Sequence, residues 1–125
     1  MSLKGQSVKI NNLKYNVVIE GRGSPVILLH GFPDSAYLWR RQIRAISEKG
    51  YQVIAPDLRG MGDTEAQRER KRYGIDIICS DVVALMDWMG IEKAPVIGHD
   101  WGAVTGWVLT GNYPKRVKCY AALSV

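Results

Sequence analysis

Long hydrophobic runs are missing from this 125-residue chain, and none approaches the ~20 residues needed to span a bilayer. The opening residues Met1-Ser2-Leu3-Lys4-Gly5 carry no apolar stretch of the secretory-signal kind. Cysteine is scarce. Cys79 and Cys119 lie in apolar surroundings without metal-ligating or redox spacing, which leads us to expect two buried free thiols. Together these absences make a cytoplasmic protein without membrane attachment the expectation. No thiol and imidazole cluster is present, so no metal is implied. Gly60-Met61-Gly62 is too short for a dinucleotide fingerprint, so no organic cofactor is implied either.

Acidic residues are outnumbered, 12 against 17 basic ones, for a formal net charge of +5. The excess gathers in Gln67-Arg68-Glu69-Arg70-Lys71-Arg72-Tyr73, with a smaller group at Lys115, Arg116 and Lys118. Glu69 interrupts the first run, and no nucleic-acid-binding motif accompanies it. A solvated loop between a strand and a helix is therefore expected, and no nucleic-acid partner. The length suits one domain with a real core and is too short for two.

What is present is a regular alternation of elements. Ser7 to Asn11 and Lys14 to Glu20 alternate apolar and polar residues around Asn11-Asn12, as in an antiparallel hairpin with one wet face. Val26 to Leu29, Tyr51 to Ala55 and Ala94 to Ile97 are short apolar runs of the kind buried on both faces of a parallel sheet. Helical spacing runs from a cap at Asp34 or Ser35 to about Lys49, from Ile75 to Met89 before Gly90, and from Trp101 to Tyr113 before Pro114. Trp39, Trp88 and Trp107 sit at spacings read as core, and Val117 to Val125 forms a last strand. The order predicts a three-layer α/β/α domain with a mostly parallel sheet.

Three motifs follow successive buried strands, where an open α/β sheet places its ligand site. They are His30-Gly31-Phe32-Pro33, then Asp57-Leu58-Arg59-Gly60-Met61-Gly62-Asp63, then Gly98-His99-Asp100-Trp101-Gly102. The last has the pattern of a strained strand-to-helix turn that lifts its central side chain, and small residues flank it because the two backbones approach closely. The lifted residue is Asp100. A helix-capping role alone would not require glycines on both sides of it. Asp57 and Arg59 read as a hydrogen-bonded brace, and His30 and His99, the only histidines, as structural rather than as bases.

The stretches His30 to Arg40, Ala55 to Thr64, Gly98 to Ala103 and Ala122 to Val125 resemble epoxide hydrolases of the α/β-hydrolase fold, with Met61 where tyrosine is usual. The similarity runs over nearly the whole chain from about residue 8. It implies that residues 1–125 are a partial hydrolase core domain without the cap domain. It also implies Asp100 as a nucleophile opening small-molecule epoxides through an alkyl-enzyme ester, with the Phe32 and Trp101 N–H groups as oxyanion hole. His30, Gly31, Pro33, Gly98 and Gly102 are then structural support. The family's cap tyrosines, second acid and catalytic histidine have no counterpart in this sequence, so the isolated chain is expected to be inactive. The edge of strand 117–125 is expected to pair with a second copy or a complementary fragment. Two alternatives stand beside this reading. A haloalkane dehalogenase shares the Asp-Trp pair, although Phe32 offers no side-chain donor to a halide. The other is a non-catalytic fragment acting by self-association.

Overall fold

Asn11 and Asn12, both at positive φ (49° and 65°), close a two-residue hairpin turn of the kind asparagine tolerates better than most residues. In this computed structural model, which describes residues 3–66 and 73–124, the turn joins β1 (Gln6–Ile10) to β2 (Leu13–Glu20). The strands are antiparallel, with Ile10 opposite Leu13 and Gln6 opposite Val17. Val8, Ile10, Leu13, Tyr15 and Val17 are buried while Ser7, Lys9 and Lys14 face water, the alternation expected of a half-wet strand pair.

The chain continues through β3 (Ser24–Leu29), a 3₁₀ turn (Ala36–Trp39), α1 (Arg40–Glu48), β4 (Tyr51–Pro56), α2 (Ile75–Met89), β5 (Ala94–His99), α3 (Trp101–Asn112) and β6 (Val117–Leu123). One six-stranded sheet forms in the order β1-β2-β4-β3-β5-β6. β2 runs antiparallel to β4, whereas β4, β3, β5 and β6 are mutually parallel. The chain therefore leaves β3 toward β4 on one side and later returns to its other side as β5. That reversal opens a crevice at the carboxyl ends of β3 and β5, where such sheets bind ligands.

The 3₁₀ turn and α1 cover one face of the sheet through Trp39 and Ile43, packed on Val18, Val26, Leu28, Val53 and Ala55. α2 and α3 cover the other through Ile78, Val82, Leu85 and Leu109, packed on Ile27, Leu29, Ile54 and Val96. Burying each such aliphatic side chain contributes about 1.5–3 kcal/mol before entropy is counted. Gly90, at φ 71°, ends α2 with its N–H on Met86 and Asp87 carbonyls. Among the described residues no helix is long and apolar enough to cross a membrane.

Four expectations need correction. Trp88 and Trp107 are 55% and 57% exposed rather than core. Trp88 lies off the buried Ile78, Val82, Leu85 and Met86 stripe of α2, next to exposed Asp87, and α3 is apolar nearly all round, so spacing alone did not identify its inner face. Small residues (Gly102, Ala103, Thr105, Gly106) face the sheet from α3, and Trp107 lies outside, edge-on to Tyr120 at 5.0 Å. Cys79 is buried, but Cys119 is exposed, because among the described residues nothing covers its face of β6. The first helix opens as a 3₁₀ turn, with the Ser35 hydroxyl accepting the Tyr37 N–H, before α1 proper begins at Arg40. The last strand ends at Leu123, where Ser124 turns to φ 57°. Most of the basic run, residues 67–72, and Val125 lie outside the described residues.

Candidate active site

At the end of β5 the backbone turns into α3 through Asp100, whose φ of 58° and ψ of −124° are unfavourable for any residue with a Cβ. Asp100 occupies the N-cap position, yet its side chain caps nothing. Its carbonyl instead starts the helix, accepting the Ala103 and Val104 N–H groups. The turn is made possible by close backbone approach. A Cβ on Gly98 would collide with the Gly102 carbonyl oxygen, and one on Gly102 with the carbonyl oxygens of Leu29 and His30. Gly31 is tight for the same reason: a Cβ there would lie 2.5 Å from that of Asp100.

The freed carboxylate has two backbone N–H groups beside it. Phe32 N–H donates to Asp100 Oδ2 at 3.3 Å. The Trp101 and Phe32 N–H groups together hold the Asp100 carboxyl below the usual carboxylate range, Trp101 being the larger cause. The group is therefore ionised at neutral pH.

His30, fully buried, ties the loop after β3 to the loop after β4. Its Nε2 accepts the Leu58 N–H at 2.8 Å, which leaves Nδ1 to carry the proton and donate to the Gly31 carbonyl at 2.7 Å. Burial pushes its pKa below the usual histidine value, so the ring is neutral. Pro33 follows Phe32 through a cis peptide bond. His99 turns away from Asp100, edge-on to Trp39 at a centroid distance of 6.4 Å.

The sequence grouped Asp57 and Arg59 in one brace, and the structure separates them into two. Asp57 Oδ1 accepts the Ala36 N–H at 2.7 Å, while Oδ2 accepts the Asp63 N–H at 2.9 Å and the Asn16 side chain at 3.0 Å. Arg59 instead forms a bidentate pair with Asp81 on α2, Nε to Oδ2 and Nη2 to Oδ1, both 2.8 Å. Tyr15 and Asn11 add hydrogen bonds to the same carboxylate. Asp81 raises the Arg59 pKa, and burial is the main cause that raises that of Tyr15.

A family described as alpha/beta hydrolase fold matches residues 24–125 of this sequence. The chain belongs to the alpha/beta hydrolase fold family. Within it, "Epoxide hydrolase 3" of Siraitia grosvenorii is 42% identical over 119 residues, 95% of this chain and 38% of that protein. "Epoxide hydrolase A" of Mycobacterium tuberculosis is 44% identical over 120 residues, 94% of this chain and 37% of its own length. An epoxide hydrolase crystal structure from Vigna radiata superposes with a TM-score of 0.95 at 44% identity, covering 98% of this chain and 40% of that one. The chain thus spans 37–38% of the length of these two curated relatives.

In this alpha/beta hydrolase chain, Asp100, Phe32, Trp101, Gly31, Gly98, Gly102, His30 and Pro33 all come together at the β3–β5 crevice. Sequence reasoning missed Asp81. It falls three residues after Ile78 and four before Leu85, on the buried stripe of α2, where an acid requires a cationic partner. That stripe position was the available signal. Also missed was a cleft of about 470 Å³ beside the elbow, bounded by Phe32, Leu58, Met61, Ile78, Trp101 and Thr105. No local pattern announces it, because its walls come from four separate loops and helix ends.

Proposed function

We propose that this chain supplies the nucleophile and oxyanion hole of an epoxide-opening hydrolase, as part of a single core domain. The supporting observation is the Asp100 carboxylate at a strained turn, which accepts the Phe32 N–H and caps nothing, with the Trp101 N–H beside it lowering its pKa. With Oδ2 anchored, Oδ1 is available to attack an epoxide carbon. The ring C–O bond breaks with its electron pair going to oxygen, which takes up a proton, and a hydroxyalkyl ester of Asp100 remains. Water then adds to the ester carbonyl, and the oxyanion that develops at Oδ2 meets the Phe32 and Trp101 N–H groups. Collapse of that intermediate releases the diol and regenerates the carboxylate.

The second step needs a base, and neither histidine here serves. Both ring nitrogens of His30 are engaged with backbone, and His99 sits against Trp39. With neither histidine free to act as that base, the ester is expected to accumulate on this chain. Incubation with an aryl epoxide, followed by intact-mass and peptide mass spectrometry, should show one epoxide equivalent on the peptide containing Asp100. Asp100→Asn should abolish it. Modification elsewhere, or equal labelling of both proteins, would refute the assignment. A chloroalkane arm that released one equivalent of halide, with no epoxide adduct, would favour the dehalogenase reading instead.

A further inference from the structure

Helix α1 opens on arginine, and no acid balances the charge in its first turn. Arg40 and Arg41 stand four and three residues before Arg44, so the three side chains share one helical face. Cations at the start of a helix oppose its macrodipole, and like charges at these spacings repel one another. The one acid of α1, Glu48, lies in its last turn, where the macrodipole disfavours it too. A face kept merely soluble intersperses charges of both signs. This one carries an unbalanced cationic stripe.

The stripe borders a cleft of about 300 Å³, lined by Leu3, Tyr37, Arg40, Arg41 and Arg44. It shares no residue with the cleft beside the elbow. Arg40 is already set in place. Its Cζ lies 4.6 Å from the centre of the Tyr37 ring, and its Nη1 donates to the Tyr37 carbonyl at 3.2 Å. Stacking of this kind orients the guanidinium without using its Nε and Nη2 donors. Arg41 makes no side-chain hydrogen bond or ion pair among the described residues. Arg44 is engaged only with Glu48, at 3.2 Å, and the two side chains are 67% and 66% exposed. Such pairs are weak and yield to a better anion. Beside these donors, the Tyr37 ring is exposed, and half-buried Leu3 supplies an apolar part of the lining.

We infer that this cleft binds a small organic phosphomonoester, its phosphate among Arg40, Arg41 and Arg44 and its aromatic or apolar body against Tyr37 and Leu3. One bidentate arginine satisfies a carboxylate, and three guanidinium groups would leave it overcompensated. A phosphomonoester carries nearly two negative charges and three strong acceptor oxygens, which matches the donors present. The volume lies at the lower end of small-molecule sites, ~300–1,000 Å³, and suits one ring with its phosphate. On binding, Arg44 exchanges Glu48 for a phosphate oxygen. The site is separate from Asp100, and its occupancy does not depend on the role of that carboxylate.

Phenyl phosphate titrated into the chain should shift the Nε–H resonances of Arg40, Arg41 and Arg44 saturably. Inorganic phosphate, which lacks the ring, and benzoate, which lacks the second charge, should both bind more weakly. Arg41→Gln should weaken phenyl phosphate binding about tenfold, near the smaller losses expected for a hydrogen bond to a charged group. Glu48→Gln should strengthen it about threefold, because Arg44 is released from a weak surface pair. Tyr37→Ala should bring phenyl phosphate down toward the affinity of inorganic phosphate. Absence of saturation on the ~1 mM scale of weak binding, or affinities indifferent to both Arg41→Gln and Glu48→Gln, would overturn the inference. Benzoate binding as tightly as phenyl phosphate would overturn the assignment of phosphate. Capture by phosphatidic acid vesicles with no response to phenyl phosphate would overturn the small-molecule site and make the stripe a membrane-facing surface.

Discussion

Removing either member of the Arg59–Asp81 pair should cost this protein a large part of its stability. Their side chains are 5% and 1% exposed, and the pairing is bidentate. Breaking a buried pair leaves an uncompensated charge, at about 3–5 kcal/mol, against a total stability of about 5–15 kcal/mol. Arg59→Met belongs at the lower end of that range, because Tyr15 and Asn11 still donate to the Asp81 carboxylate. Asp81→Leu belongs at the upper end, since it removes at once the carboxylate that accepts from Arg59 Nε and Nη2 and from the Tyr15 hydroxyl. The double variant Arg59→Met/Asp81→Leu replaces the pair with apolar volume and should cost well under the sum of the two single changes. Urea unfolding at pH 7, with midpoints compared at constant slope, gives the four corners of the cycle. Asp81→Asn stands in should Asp81→Leu fail to fold. The losses should persist in high salt, because a buried pair is little screened. Single-variant losses below ~1 kcal/mol, or strict additivity, would show that the pair behaves like an exposed one and would refute the reasoning.

Two further outcomes follow from the elbow and the loop beneath it. Asp100→Gly should unfold at higher urea than Asp100→Ala, because glycine adopts φ 58° without strain; the reverse order would remove the case for a strained turn. Burial lowers the His30 pKa from 6.5 in the native state, so above that pH both states are neutral and His30 adds no pH dependence. As pH falls below 6.5 the unfolded chain takes up a proton that native His30 refuses, and stability declines. The decline between pH 6.5 and 5.5 should be shallower in His30→Gln; equal slopes would show that His30 is not the group responsible.

The sheet and the elbow were legible because each depends on local sterics. Three apolar runs bounded by glycine or proline cannot easily be other than buried strands, and glycines at positions 98 and 102 make sense only where backbones nearly touch. Long-range pairing was not legible. Nothing near Arg59 in the sequence points to Asp81, and Asp57 takes its donors from residues 16, 36 and 63. The outward placement of Trp88 and Trp107 escaped for a different reason. α3 is apolar on nearly every side and carries no signal of which side meets the sheet, so its small residues decided it by allowing the closest approach, whereas Trp88 sits beside the buried stripe of α2 rather than on it.

The contact of Gly102 with the Leu29 and His30 backbone also bears on how the molecule comes into being. Some seventy residues separate the two segments, and closing so long a loop is slow and entropically unfavourable. No partly collapsed chain holds Asp100 in its turn until β3 has docked beside β5. The nucleophile's turn is therefore completed by a segment distant in sequence and not by its own neighbours alone, and on a ribosome it can take its shape only once Gly102 has left the exit tunnel.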